Sequence, residues 1–197
     1  DEWAATSQAR YAAALAAGRD TLLWAREDDV VSDIRQANEN KRFLPGIALP
    51  RTLRATTVLA EAASAEALLL AVPAQVLGEF ARMLAPLIAP GTPLVICAKG
   101  IEKDSGRLVN EVLADAAPKA TPAILSGPSF ARDVAKGLPT AVTIAAPGDI
   151  AARLQASLNA PFFRPYASDD VAGVALGGAA KNVYAIACGV VEGMGLG

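Results

Sequence analysis

The chain has 197 residues, 53 % of them hydrophobic, with 18 basic and 20 acidic side chains, and no histidine. That length holds one full domain and part of a second. A net charge of −2 with scattered basic residues argues against a nucleic-acid surface, and the lack of histidine excludes His-based triads and His metal sites, leaving Lys, Asp, Glu, Tyr or Cys for proton transfer. No uninterrupted apolar run approaches the roughly 18–20 residues of a membrane span; the longest, residues 67–72, stops at Pro73. The opening Asp1-Glu2-Trp3 has neither the basic start nor the apolar core of a signal peptide. Cys97 and Cys188 lie far apart in apolar contexts and read as buried free thiols of a reducing cytoplasm.

In chain order, the alanine-rich residues 4–17 predict a helix ended at Gly18. Residues 21–25 predict a short apolar strand, 30–37 a helix, and 38–42 a polar loop. A brief strand over 56–58 and a helical turn over 59–63 follow. From there strands and helices alternate regularly: strand 67–72, helix 74–88, strand 93–98, then a helix capped by Asp104 or Ser105 and running to 116. Strand 122–125, helix 130–135, strand 140–145, helix 150–158 and an extended segment at 162–166 come next. The last helix starts near Asp169-Asp170. Nearly continuous apolar strands alternating with helices predict an α/β fold with a parallel sheet covered on both faces. Ligands of such sheets bind at the carboxyl ends of the strands.

Candidate polar groups fall at those ends: Arg26, Pro73-Ala74-Gln75, Lys99-Gly100 and Ser126-Gly127-Pro128-Ser129. Lys99 follows an apolar strand and precedes glycine, which suits a cation that holds a phosphate; a solvated loop lysine has the same pattern. Ser126 to Ser129 offer hydroxyls and free N–H groups before a helix, an anion site or an ordinary cap with Pro at its first turn. Gly177-Gly178-Ala179-Ala180-Lys181-Asn182 sets a lysine in an apolar helical run, behind small residues that let a ligand or another backbone come close. Burial would lower the pKa of such a lysine and fit it for proton transfer; snorkelling from a core helix is the plainer alternative. Arg26 stands just past a strand, where an arginine can meet the 2′-phosphate of NADP.

Seven segments carry a resemblance to one family. They are Leu23-Trp24-Ala25-Arg26-Glu27, the run from Asn40 to Gly46, Leu70-Ala71-Val72-Pro73-Ala74-Gln75, Cys97-Ala98-Lys99-Gly100-Ile101-Glu102, Leu125-Ser126-Gly127-Pro128-Ser129-Phe130-Ala131, Gly137-Leu138-Pro139-Thr140-Ala141 and Gly178-Ala179-Ala180-Lys181-Asn182. In that order they resemble the NAD(P)-dependent glycerol-3-phosphate dehydrogenases of the bacterial type. The resemblance implies a Rossmann-type doubly wound, mainly parallel sheet over residues 1–168, followed at 169–197 by the first helix of an all-α substrate domain. It also implies reversible hydride transfer between NAD(P)H and dihydroxyacetone phosphate, giving sn-glycerol 3-phosphate for phospholipid synthesis. Lys181 would then be the catalytic proton donor and acceptor and would touch substrate. Lys99 would contact both substrate and cofactor, Gly127 and Ser129 would hold substrate, and Trp3, Arg26 and Ala131 would touch NADP or NAD. A cytoplasmic homodimer with no membrane span completes the expectation.

Two departures bear on it. The family opens with a strand and a Gly-x-Gly-x-x-Gly turn that lets backbone approach the pyrophosphate, whereas this sequence begins Asp1-Glu2-Trp3-Ala4-Ala5-Thr6-Ser7 and has no glycine before Gly18. Only Trp3 fits the family's aromatic position. Most of the helical domain would follow Gly197. The expectation is therefore a chain cut at both ends that lacks the usual first strand. Its alternatives are a non-catalytic remnant that binds nucleotide or a partner weakly, and a related reductase acting on another 2-keto compound.

Overall fold

The computed structural model describes residues 18–129 and 131–196; the helix expected over 4–17, Trp3 and Phe130 lie outside them. Nine strands and seven helices occur among the described residues. The first part contains β1 (Thr21–Trp24), α1 (Asp28–Ala37), β2 (Glu39–Asn40), β3 (Leu44–Ala48), β4 (Leu53–Thr56) and α2 (Leu59–Ala63). The second contains β5 (Leu68–Leu70), α3 (Leu77–Leu84), β6 (Pro93–Ile96), α4 (Val109–Ala116), β7 (Thr121–Ser126), α5 (Ala131–Ala135), β8 (Thr140–Ala145), α6 (Ile150–Leu158), β9 (Phe163–Ser168) and α7 (Val171–Gly193).

Alternation of side chains along the strands builds two cores, one on each face of the main sheet. Leu94, Ile96 and Ile124 pack with Leu77, Ala81 and Leu84 of α3 and with Leu113 of α4. Val95, Cys97, Ala123 and Leu125 face the other way, against Ala151, Leu154 and Leu158 of α6. Both faces are dry, which is why these strands read as unbroken apolar runs. The sheet order is β5-β6-β7-β8-β9. Strands β5, β6 and β7 run parallel, β8 pairs antiparallel with β7, and β9 runs parallel to β8. The fold is thus the expected doubly wound, mainly parallel α/β type, with one antiparallel step.

A separate parallel pair, β4-β1, has its own core with α1, built on Leu23, Val30, Val31, Ile34 and Leu53. In the doubly wound order 3-2-1-4-5-6 the first strand lies between the second and the fourth. Here β4-β1 and β5-β6-β7 take the flanking places, and among the described residues no strand joins β1 to β5. A cleft of about 690 Å³ among the described residues is lined by both strands and by Leu59, Phe80, Ile150 and Leu154. Trp24 bridges one end, its ring 5.3 Å from that of Phe80, and Arg19 reaches across to donate to the Ala156 carbonyl at 3.0 Å.

Several boundaries differ from expectation for local reasons. The polar loop at 38–42 is part of an antiparallel hairpin, β2-β3, in which the buried Asn40 accepts the Phe43 N–H at 3.0 Å. Strand β4 ends at Thr56, whose hydroxyl accepts the Val58 N–H and donates to Glu61, turning the chain into α2. The helix expected over 74–88 begins as a tight turn at Ala74–Val76 and is regular only over Leu77–Leu84. Helix α4 does not start at Asp104 or Ser105. Residues 101–108 form a closed loop in which the Glu102 N–H donates to the Arg107 carbonyl, and the helix begins after Leu108, whose N–H donates to Glu111 at 2.8 Å. Helix α7 starts as expected, with Asp170 accepting the Gly173 N–H at 2.7 Å. It is long and apolar enough to meet the measure of a membrane-crossing helix. Lys181, Asn182 and Glu192 break its apolar run, so run length alone missed it. Its first half packs on the sheet through Ala175 and Gly178.

Candidate active site

The loops after β6 and β7 meet where the strands end. Lys99 leaves β6 half-buried and donates through Nζ to the Gly127 carbonyl at 2.8 Å. The same carbonyl accepts the Ser129 N–H at 2.9 Å, which folds the Ser126–Ser129 turn tightly on itself. Two backbone demands hold this corner in place. Gly100 has φ +145, open to glycine but not to ordinary side chains. At Gly127 an added Cβ would stand 2.9 Å from the Val142 Cα and 3.0 Å from the Ala141 carbonyl oxygen, both backbone of β8. Gln75, a candidate ligand by position, is committed to the fold: its amide donates to the Ile101 carbonyl and accepts the Lys103 N–H, each at 2.9 Å.

Helix α7 crosses above this corner. At Gly178 a Cβ would stand 2.8 Å from the Ser126 hydroxyl and 3.5 Å from Cγ of Lys99, whereas Gly177 faces open space. The small residues before Lys181 therefore serve contact with Ser126 and Lys99, and Gly178 alone of the two glycines makes it. Sequence reasoning missed Ser126 as the partner, because nothing in a hydroxyl at a strand end tells which helix will cross it. Lys181 lies three residues further on, about 4.5 Å along the helix axis. It is exposed, and its Nζ donates to Oδ1 of Asn182 at 2.8 Å. Of the two readings of this lysine, burial is not what the described residues give: from Lys181 onward every described position of α7 is exposed.

Helix α5, expected over 130–135, runs over Ala131–Ala135, and in the turn before it the Ser129 N–H bonds the Gly127 carbonyl. Cys97 is buried, and loss of solvent pushes its thiol up to about 12 despite the nearby Lys99 cation. Cys188, expected buried, is exposed on α7. Arg26 stands exposed just past β1 and makes no hydrogen bond or ion pair among the described residues. Lys99, Gly127, Ser129 and Gly178 are brought together; Arg26 belongs to the other sheet, Ala131 opens α5, and Trp3 lies outside the described residues.

The family model for the NAD-dependent glycerol-3-phosphate dehydrogenase N-terminus matches residues 9–152, and the model for the C-terminus of the same enzymes matches 170–197. The chain belongs to this family. A glycerol-3-phosphate dehydrogenase [NAD(P)+] of Parvibaculum lavamentivorans is 55 % identical over 181 residues, covering 91 % of this chain and 54 % of the relative. That of a Bradyrhizobium strain is 58 % identical over 187 residues, covering 94 % and 57 %. The chain thus spans about half the length of the curated relatives it matches. Among solved structures, the glycerol-3-phosphate dehydrogenase of Coxiella burnetii superimposes with a TM-score of 0.81 at 36 % identity, over 94 % of this chain and 58 % of that one. The Saccharomyces cerevisiae enzyme gives 0.85 at 26 % identity, over 100 % and 62 %. The match to the C-terminal model begins at α7, so the helix carrying Lys181 and the corner carrying Lys99 answer to two different family models.

Proposed function

We propose that this chain is the nucleotide-binding part, with the first helix of the substrate domain, of an NAD(P)-dependent glycerol-3-phosphate dehydrogenase that interconverts dihydroxyacetone phosphate and sn-glycerol 3-phosphate. Residues 1–168 form the first unit and 169–197 open the second. The observation that carries the proposal is the corner itself: Lys99 fixed on the Gly127 carbonyl, with α7 laid across it so that Lys181 follows one turn later. The Arg26 guanidinium past β1, without a hydrogen bond or ion pair among the described residues, fits the phosphate-bearing end of NADP, and Glu27 beside it fits the ribose hydroxyl of NAD. When bound, the reduced nicotinamide supplies the hydride to the carbonyl carbon. Lys181 gives a proton to the oxygen as it becomes an alcohol, and takes one back in the reverse direction. Lys99 holds negative charge on substrate and cofactor, the Gly127 backbone and the Ser129 hydroxyl seat the substrate, and Ala131 and Trp3 contact cofactor. A cytoplasmic homodimer without nucleic acid completes the reading, supported by family membership and the scattered charge.

The test is NADPH oxidation with dihydroxyacetone phosphate, comparing this chain with its Lys181→Ala variant. Loss of the proton donor lowers turnover by about 100-fold or more. Equal turnover in both refutes the role of Lys181. No turnover in either, with NADPH still bound, favours the second reading, a non-catalytic nucleotide-binding chain.

A further inference from the structure

Ser126 and Gly178 meet where α7 crosses the loop corner. A Cβ on Gly178 would stand 2.8 Å from the Ser126 Oγ but 3.8 Å from the Ser126 Cβ, so the hydroxyl at the end of the serine side chain is the one atom an alanine would have to displace. On its other side the same Cβ would lie 3.5 Å from Cγ of Lys99, an ordinary contact. Lys99 is itself tied down through its bond to the Gly127 carbonyl. Lys181 follows Gly178 at the i+3 position, about 60° round the helix and 4.5 Å along it. Lys181 rides on the same helix, so a shift of α7 at Gly178 carries Lys181 with it.

We infer that Gly178 and Ser126 are a matched pair of positioning residues: their contact sets how closely α7 docks on the β7 corner, and through it where Lys181 stands relative to Lys99. The inference rests on the proposed dehydrogenase reading, in which those two lysines share a substrate. A bare glycine against a hydroxyl permits the closest approach available to a helix without removing the serine. An alanine at 178 forces either the helix or the hydroxyl to move. An alanine at 126 makes room again, because the remaining Ser126 Cβ distance is unstrained.

The experiment compares the chain with Gly178→Ala, Ser126→Ala and the double variant, by two readouts. In steady-state reduction of dihydroxyacetone phosphate, Gly178→Ala lowers kcat by about 10- to 100-fold, the range for an ångström-scale misplacement, while KM changes much less. The double variant recovers to the level of Ser126→Ala. In parallel, a short amine-reactive cross-linker followed by mass spectrometry joins Lys99 to Lys181 in the unaltered chain, several-fold less in Gly178→Ala, and again in the double variant. Gly178→Ala indistinguishable from the unaltered chain in cross-link yield, or a double variant no better than Gly178→Ala, overturns the inference. Cross-links that follow the pattern while no variant turns over would sink the dehydrogenase reading and leave the positioning contact standing.

Discussion

Gly127→Ala isolates the tightest backbone contact in the site. The φ of Gly127 is not in the left-handed region, so the substitution is a matter of space alone. The added Cβ would stand 2.9 Å from the Val142 Cα, 3.0 Å from the Ala141 oxygen and 3.1 Å from the Val142 Cγ1. Ordinary contact begins at 3.4 Å, so β8 and the Gly127 turn must part by roughly half an ångström. No side chain can swing aside to allow this, because two of the three atoms are backbone of a strand paired on both edges. Overpacking of this kind costs about 1–3 kcal/mol. For a chain of this size that lowers Tm by about 2–4 °C per kcal/mol, hence about 4–8 °C at the middle of the range. Gly177→Ala supplies the control: nothing lies within 4 Å of its Cβ position, so relief of helix-interior glycine raises stability by about 0.5–1 kcal/mol. The assay is thermal denaturation followed by circular dichroism. A Gly127→Ala variant melting within a degree of the unaltered chain, or one no worse than Gly177→Ala, would refute the reasoning.

The buried thiol gives a pH dependence. Cys97 titrates near 12 folded against 9.0 as a free side chain, so above pH 9 the unfolded chain loses a proton that the folded chain keeps. Stability from this group is whole below pH 9 and falls with rising pH by up to about 1.4 kcal/mol per unit until pH 12. Urea titrations between pH 9 and 10.5 show a shallower decline in Cys97→Ala; an equal slope contradicts the assignment. At neutral pH a thiol reagent labels exposed Cys188 and leaves Cys97 untouched until the chain unfolds. Lys99→Met keeps the stem beside Gly178 but removes the ammonium; protection of the chain by inorganic phosphate against heat disappears, while the Tm without phosphate falls by several degrees, because a hydrogen bond from a charged donor contributes about 1.5–3 kcal/mol. Undiminished phosphate protection counts against Lys99 as the anion's partner. Amide exchange is faster at Thr21–Trp24 and Leu68–Leu70, which flank the cleft, than at β6 in the sheet centre. Equal protection would show that β1 and β5 are covered as β6 is.

The parts of the fold that the sequence made legible are those where one physical signal dominates. Strands β6 and β7 are buried on both faces, so their apolar runs were visible without a partner, and β8, α2 and α6 ended where flanking Pro, Gly or Ser broke the pattern. The β2-β3 hairpin was not legible: of its five-residue strand only Leu44 is buried, and Pro45-Gly46 reads as a turn. The site was legible by residue type but not by state. Lys99 and Ser126–Ser129 fell at strand ends, as the alternation predicted, and do converge. The burial of Lys181 did not follow, because an apolar helix tells how much surface wants covering and not whether the described residues cover it.

That exposure constrains any mechanism built on this site. A lysine that trades protons near neutral pH needs either desolvation or a neighbouring cation. Residues 18–196 supply no desolvation to Lys181, since its whole turn of α7 is open. The stem of Lys99 lies against Gly178 one turn earlier, its ammonium held by the Gly127 carbonyl. The drying of Lys181 must then come from outside these residues, from bound nucleotide and substrate or from further protein. Ligands that rest on Lys99 would exclude water around Lys181 as well, which makes the docking of α7 on the corner at Gly178 and Ser126 part of the proposed chemistry.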